Sequence, residues 1–260
     1  MRLGVIGGTG TAALFGEGAL AEPETTSRAT SQANPWGNPS ADLYHCTVDG
    51  QPLTFLQRHG DDGLSGNSHR AIPPHQINYR ANIWALREAG VDRIVGINVV
   101  GGITPNAVPG ALVVPDQLID YTWGRQHSYM GEAGFPLRHV DFTSPFDADL
   151  RAALLKSAAQ LGLSLLSEAT YGVTQGPRLE SAAEINRLER DGCHVVGMTA
   201  MPEAALAREL DLAYAVCCVV VNRAAGRSRR DVSIHAEAAA HLDSGIAKVR
   251  RLIYGLLASQ

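Results

Sequence analysis

Arg58-His59-Gly60 directly follows the β-rich run Leu53 to Gln57, setting a permanent cation beside a second nitrogen donor where a strand would end. A phosphate would satisfy both. Gly7-Gly8-Thr9-Gly10 closes another short apolar run, Leu3 to Ile6. It offers an anion backbone N–H groups and a hydroxyl, because glycine lets the chain approach closely. Each signal has a second reading. The Arg-His pair can be a surface arginine and a structural histidine. Gly8-x-Gly10-x-x-Ala13 also fits the loose dinucleotide fingerprint, which calls for an acidic residue ending a second strand about 20 residues on. There the chain has instead the loop around Glu22 to Ser40, whose part from Thr25 to Ser40 is rich in Ser, Asn, Pro and Gly.

The elements that must position these residues alternate along the chain. Leu43 to Val48 and Leu53 to Gln57 read as strands flanking Asp49-Gly50, a hairpin dipeptide suited to positive φ. Asn78 to Ala89 reads as a helix with Gly90 behind it, and Arg93 to Val100 as a buried strand closed by Gly101-Gly102. The series continues with strand Ala111 to Val114, helix Asp147 to Leu161, strand Ala169 to Thr174, helix Ser181 to Arg190 and strand His194 to Met198. Helix Glu203 to Leu210, strand Ala213 to Val221 and a helix from about His235 to Leu257 complete it. Such alternation predicts an α/β fold, a parallel or mixed sheet covered on both faces. A second loop, Gly60 to Pro74, is long for a compact domain, the kind that serves function.

Composition sets the outer bounds. With 260 residues, 45% of them hydrophobic, the chain can bury one large core, and no linker or repeat divides it. We therefore expect one domain over residues 1–260. A formal charge of -4 provides no broad basic surface for a nucleic acid polymer, although Arg227, Arg229 and Arg230 cluster. No apolar run is long enough for a membrane span, and Met1 to Ile6 is too short for a signal peptide's apolar core. Cys46, Cys193, Cys217 and Cys218 show neither C-x-x-C pairing nor zinc spacing. The expectation is a cytoplasmic protein with reduced, structural thiols and no metal. His45, His127 and His194 read as structural or surface residues, and Trp36, Trp84 and Trp123 as core or interface residues.

Three further stretches complete the pattern: Pro74-His75-Gln76-Ile77-Asn78-Tyr79-Arg80-Ala81-Asn82, Gly176-Pro177-Arg178-Leu179-Glu180 and Gly197-Met198-Thr199-Ala200-Met201-Pro202-Glu203. Together with the glycine turn, the Arg-His-Gly and the strand Tyr214 to Asn222, they resemble in their order the trimeric purine nucleoside phosphorylase and methylthioadenosine phosphorylase family, over nearly the whole length. The resemblance implies a single domain with a mixed, partly barrel-like sheet flanked by helices. It also implies a homotrimer with sites near subunit contacts, no organic cofactor, and inorganic phosphate as co-substrate. Carried over residue by residue, Thr9, Arg58, His59 and Thr199 would bind phosphate, with His59 and Asn222 at the reacting centre. Met198 would lie against the ribose, and His139 would reach a neighbouring subunit's site near the 5′ substituent. Where the family has a phosphate-binding Thr-Ala pair, this chain has Asn98 and Val99, which puts one phosphate contact in doubt.

The chemistry agrees with that family. Cleaving an N-glycosidic bond leaves positive charge on the sugar and negative charge on the purine, so phosphate on one side and donors at the base favour the transition state. No covalent enzyme intermediate is required, and neither Cys217, Cys218 nor a serine is assigned as a nucleophile.

Substrate choice follows from what faces the base and the 5′ carbon. The methylthioadenosine members carry two aspartates at the base end of the late strand, where this chain has Asn222 and Ala224. Asn can donate to a 6-oxo group or turn toward N7. Glu180 stands where the oxopurine enzymes hold a glutamate that accepts from N1–H, and it can equally be a helix N-terminal carboxylate. Leu179 replaces an aromatic residue beside the base, which weakens stacking. In Val232-Ser233-Ile234, Ile234 aligns with the position where ordinary nucleoside phosphorylases present a histidine to the 5′ hydroxyl, and an apolar wall there favours a thioether. His235 stands one residue away, and a register shift of one would reverse that inference. An oxopurine reader with an apolar 5′ pocket implies phosphorolysis of S-methyl-5′-thioinosine to hypoxanthine and 5-methylthioribose 1-phosphate. A general 6-oxopurine nucleoside phosphorylase, a methylthioadenosine phosphorylase and a non-catalytic nucleoside-binding protein are the alternatives.

Overall fold

Short apolar runs ending in glycine give this chain its parallel core strands. The computed structural model describes residues 2–14, 25–27, 34–60, 71–132, 134–228 and 233–259. β1 (Leu3–Gly7) is wholly buried and lies parallel between β4 (Gln51–Gln57) and β5 (Arg93–Gly102). β3 (Leu43–Val48) turns into β4 through Asp49 and Gly50, both at positive φ, the hairpin their sequence predicts.

β5 organises the rest. Along one edge it pairs in parallel with β11 (Ala213–Arg223); along the other it meets β1 at its start and, antiparallel, β10 (Val195–Gly197) at its end. The sheet thus splays into two arms. One runs through β10 to β9 (Thr170–Val173) and β7 (Gln117–Asp120), the other through β11 to β6 (Leu112–Val113) and β8 (Leu165–Leu166). Parallel β1, β4, β5 and β11 end on the same side, so the loops leaving them converge.

Helices cover both faces of this mixed sheet. α1 (Tyr79–Glu88) and α4 (Ala200–Glu209) pack on one apolar cluster, while α2 (Ala148–Gln160) and α5 (Ile234–Ala258) cover another through Leu150, Leu154, Leu252 and Ile253. α3 (Ala182–Arg190) opens with a capping box: Ser181 Oγ accepts from the Glu184 N–H, and the Glu184 carboxylate accepts from the Ser181 N–H.

Several expectations need correction. Thr25–Ser27, inside the stretch read as a loop, forms β2 by pairing with β3. β7 and β8 lack any run of their own long enough to announce a strand, and they exist because β9 and β6 offer edges to them. α4 starts at Ala200 rather than Glu203, with Met201 non-helical and Pro202 starting the regular turns. The glycine turn leads into the 3-10 turn Thr11–Leu14. Residues 28–33, most of the 60–74 loop (61–70), and Arg229, Arg230 and Val232 lie outside the described residues.

Candidate active site

The converging strand ends enclose a cavity of about 400 Å³, within the range of small-molecule sites. Its lining includes the four residues Thr9, Arg58, His59 and Thr199, and also Met198, Leu179, Glu180, Asn222, Ala224 and Ile234. His139 is exposed on the segment after β7 and does not line it. Thus the expected phosphate, sugar and base residues share one chamber, apart from the one assigned to a neighbouring subunit. His235 lines it too, beside Ile234 in the first turn of α5.

Arg58 is wholly buried, which its sequence context did not suggest. Its Nε and Nη2 fork onto both carboxylate oxygens of Glu203 at 2.5 and 2.9 Å, and Glu203 also accepts from the Tyr214 hydroxyl at 2.8 Å. Nη1 donates to the Ile97 carbonyl at 3.0 Å, which leaves one Nη1 hydrogen without an acceptor among the described residues. The cation is therefore balanced inside the protein, and it keeps one uncommitted donor rather than a free fork. Gly8 makes room for it: a Cβ there would stand 2.9 Å from Arg58 Nη1. The sequence concealed Glu203 because a carboxylate is almost never fully buried unless paired, and its partner is 145 residues away.

His59 donates from Nδ1 to the Ile72 carbonyl at 2.8 Å, so only Nε2 is left to address a ligand. Burial pushes its imidazole below the usual histidine range and Arg58 adds to that, against the pull of the Ile72 bond and Glu203.

At the opposite end, Thr174 donates to Glu180 Oε1 at 2.5 Å, leaving Oε2 for a donor on a ligand. The carboxylate that caps α3 is Glu184, so Glu180 is not spent on the helix. Asn222 follows a bulge in β11 between Val220 and Asn222, the kind of irregularity that re-aims a side chain. Its amide donates to the Arg223 carbonyl at 2.7 Å, which orients the group and leaves a second N–H and Oδ1. Leu179 is 44% exposed at the rim.

Sequence reasoning assigned no role to Arg125. It is buried, has no carboxylate partner among the described residues, and donates to the carbonyls of Met198, Met201, Thr174 and Gln175 at 2.6 to 3.2 Å. It thereby clasps the loop carrying Met198 and Thr199 to the one leading to Glu180. Gly176 lies in that clasp at φ +61°, where a Cβ would stand 2.4 Å from Met198 Sδ.

Nothing in the chamber argues for covalent catalysis. Cys217 and Cys218 are buried within β11, and burial pushes the Cys217 thiol up to about 12. Among the described residues no group of His, Cys, Asp and Glu is arranged to hold a metal, and no helix is long and apolar enough to cross a membrane. The chamber can hold an oxyanion at its buried end and a planar group with donor and acceptor edges at its open end.

Comparison with known proteins gives this geometry a family. Residues 2–258 match the family model described as the phosphorylase superfamily. The chain is 43% identical over 255 residues to a probable S-methyl-5′-thioinosine phosphorylase of Pseudomonas syringae pv. tomato, covering 98% of each chain. It is 40% identical over 241 residues to a 6-oxopurine nucleoside phosphorylase of Pyrococcus furiosus, covering 91% of this chain and 84% of that one. Among solved structures, a methylthioadenosine phosphorylase of Schistosoma mansoni in complex with adenine superposes with a TM-score of 0.89 at 26% identity, covering 100% of this chain and 91% of that one.

Proposed function

The chain belongs to the phosphorylase superfamily, and we propose that it cleaves S-methyl-5′-thioinosine with inorganic phosphate, releasing hypoxanthine and 5-methylthioribose 1-phosphate. The observation that carries this reading is the pairing of Glu180 and Asn222 in one chamber that also holds Ile234. Glu180 Oε2 accepts from the N1–H of a 6-oxopurine, and the free Asn222 N–H meets O6 or N7. Adenine would turn an amino group toward a donor and leave it unpaired. Ile234 gives the 5′ end an apolar wall that suits a thioether.

In the reaction, phosphate held by Thr9, Arg58, His59 and Thr199 attacks the anomeric carbon as its bond to N9 breaks, and the electron pair passes to the purine. Asn222 stabilises that developing charge. The site needs no metal or organic cofactor, and phosphate is the co-substrate. We further propose a cytoplasmic homotrimer in which His139 serves a neighbouring copy's 5′ pocket.

His235 favours a second reading, a general 6-oxopurine nucleoside phosphorylase, because it lines the same chamber as Ile234 and an imidazole can hydrogen-bond a 5′ hydroxyl. Phosphate-dependent base release from methylthioinosine, inosine and methylthioadenosine separates the possibilities. We expect kcat/KM to be highest for methylthioinosine. A maximum on inosine would transfer the 5′ end to His235, a maximum on methylthioadenosine would overturn the base assignment, and binding without release would mark a non-catalytic nucleoside binder.

A further inference from the structure

Asn98 stands in the second half of β5, where the resemblance leads one to expect a residue that touches phosphate itself. Its hydrogen bonds leave it no donor to offer a phosphate. Arg58 Nη2 lies 3.1 Å from Asn98 Oδ1, and since a guanidinium only donates, the carboxamide oxygen must face it. The Nδ2 group is thereby turned the other way, 3.0 Å from Thr199 Oγ1 and 3.2 Å from the Tyr171 hydroxyl. Both amide hydrogens are spent. None is left for a ligand.

The fold enforces this arrangement. β10 runs antiparallel to β5 with Val195 opposite Gly102 and Val196 opposite Gly101, and continuing that register brings Thr199 opposite Asn98. Thr199 is the N-cap of α4, a position where threonine usually accepts from the helix's first N–H groups, yet its side chain makes no such bond. Its oxygen accepts from Asn98 instead. Because Asn98 can only donate there, the Thr199 hydroxyl hydrogen must point elsewhere, and Thr199 lines the cavity.

We propose that Asn98 is a positioning residue that transmits the polarity of the buried Arg58–Glu203 pair to Thr199, fixing the Thr199 hydroxyl as an obligate donor to the phosphate oxyanion. The chain of donors runs from Arg58 to Asn98, from Asn98 to Thr199, and from Thr199 to the ligand. An oxygen that carries no proton is favoured at that point of the site. This inference rests on the phosphorolytic reading, and the experiment separates the two.

The test is a double-mutant cycle on the full chain with Asn98→Ala, Thr199→Val and the pair, reading KM for phosphate and for nucleoside separately, with phosphate affinity also measured by calorimetry without nucleoside. Each single variant should raise the phosphate KM about tenfold, roughly what one hydrogen bond to a charged group contributes. The nucleoside KM should stay within about twofold, and the double variant should be no worse than about twofold beyond Thr199→Val, because Asn98 acts through Thr199. Effects that multiply toward about a hundredfold would show Asn98 acting independently, and equal rises in both KM values would show a merely structural role. Either result overturns the proposal. Should Asn98→Ala not fold, Asn98→Ser is read in the same way, since its shorter side chain cannot bridge Arg58 and Thr199 together. Absence of phosphorolysis in the wild-type protein would defeat the functional reading while leaving the calorimetric cycle to judge Asn98; absence of phosphate binding would defeat both.

Discussion

The two ends of the chamber are built differently. At the phosphate end Arg58, Glu203 and Asn98 are fully or almost fully buried, tied to one another and to strand carbonyls. At the base and 5′ end Leu179, Glu180, Asn222 and Ile234 sit half-buried or exposed on a loop, at the end of β11 and on the first turn of a helix, each with at most one internal side-chain tie among the described residues. On the proposed reading, the phosphate step common to every substrate of a phosphorylase is fixed in the core, where a donor cannot shift without disturbing the sheet. The choice of base and 5′ group then falls to residues that can change while the core stays intact. Proteins named for methylthioinosine, for 6-oxopurine nucleosides and for methylthioadenosine all match most of this chain.

The comparison breaks most readily at Glu203. Glu203→Gln keeps the shape but leaves Arg58 charged, buried and without its counter-ion, which costs about 3–5 kcal/mol for pairs of this kind. Denaturant unfolding should register that loss, and phosphate affinity should fall with it. A midpoint close to that of the wild type would mean that the phosphate end is no more rigid than the loops.

Asn222→Asp probes the opposite end. The carboxylate accepts from an exocyclic amino group and repels a carbonyl, so kcat/KM for methylthioadenosine relative to methylthioinosine should rise about 10- to 100-fold. Stability should change by no more than about 0.5 kcal/mol, as is usual away from a buried network. An unchanged substrate ratio would remove Asn222 as the base reader. A stability loss as large as that of Glu203→Gln would erase the contrast between the two ends.

How far each end was legible in the sequence follows from the same contrast. Thr9 and Arg58 are found at strand ends because apolar runs closed by glycine or a polar pair mark those ends in a short window, whereas Thr199 and Asn222 are reached only through the family resemblance. The residues that hold them are not marked locally. Glu203 meets Arg58 across 145 residues, Asn98 meets Thr199 across 101, and Arg125 contacts carbonyls whose positions exist only after folding. β7 and β8 were missed for a related reason, since they depend on edges supplied by distant strands. Trp36 and Trp84 were read as core or interface candidates, and they pack with Tyr129 and Phe135, whereas Trp123 is 73% exposed. Periodicity tells which residues are buried, not which buried polar groups meet.

The smallest expected effect concerns His59, at the edge of the buried end: it stands two residues after β4 and bonds to Ile72, beyond the long loop. Its folded imidazole binds a proton less readily than the unfolded one, chiefly because it is buried. Below the unfolded value of about 6.5 the unfolded chain takes up a proton that the folded chain declines, so stability contributed at neutral pH is lost as pH falls from about 6.5 toward the depressed folded value. The slope cannot exceed about 1.4 kcal/mol per pH unit for one proton. His45 is shifted in the same direction, by burial first and then by Arg2, so the whole-protein curve sums both histidines and the carboxylates. The informative quantity is the difference between the wild type and His59→Gln in unfolding free energy, measured from pH 7.5 down to about 5. We expect the variant to lose less stability over that interval. Parallel curves would place His59 with the solvent-exposed loop residues and move the boundary between the two ends to Arg58.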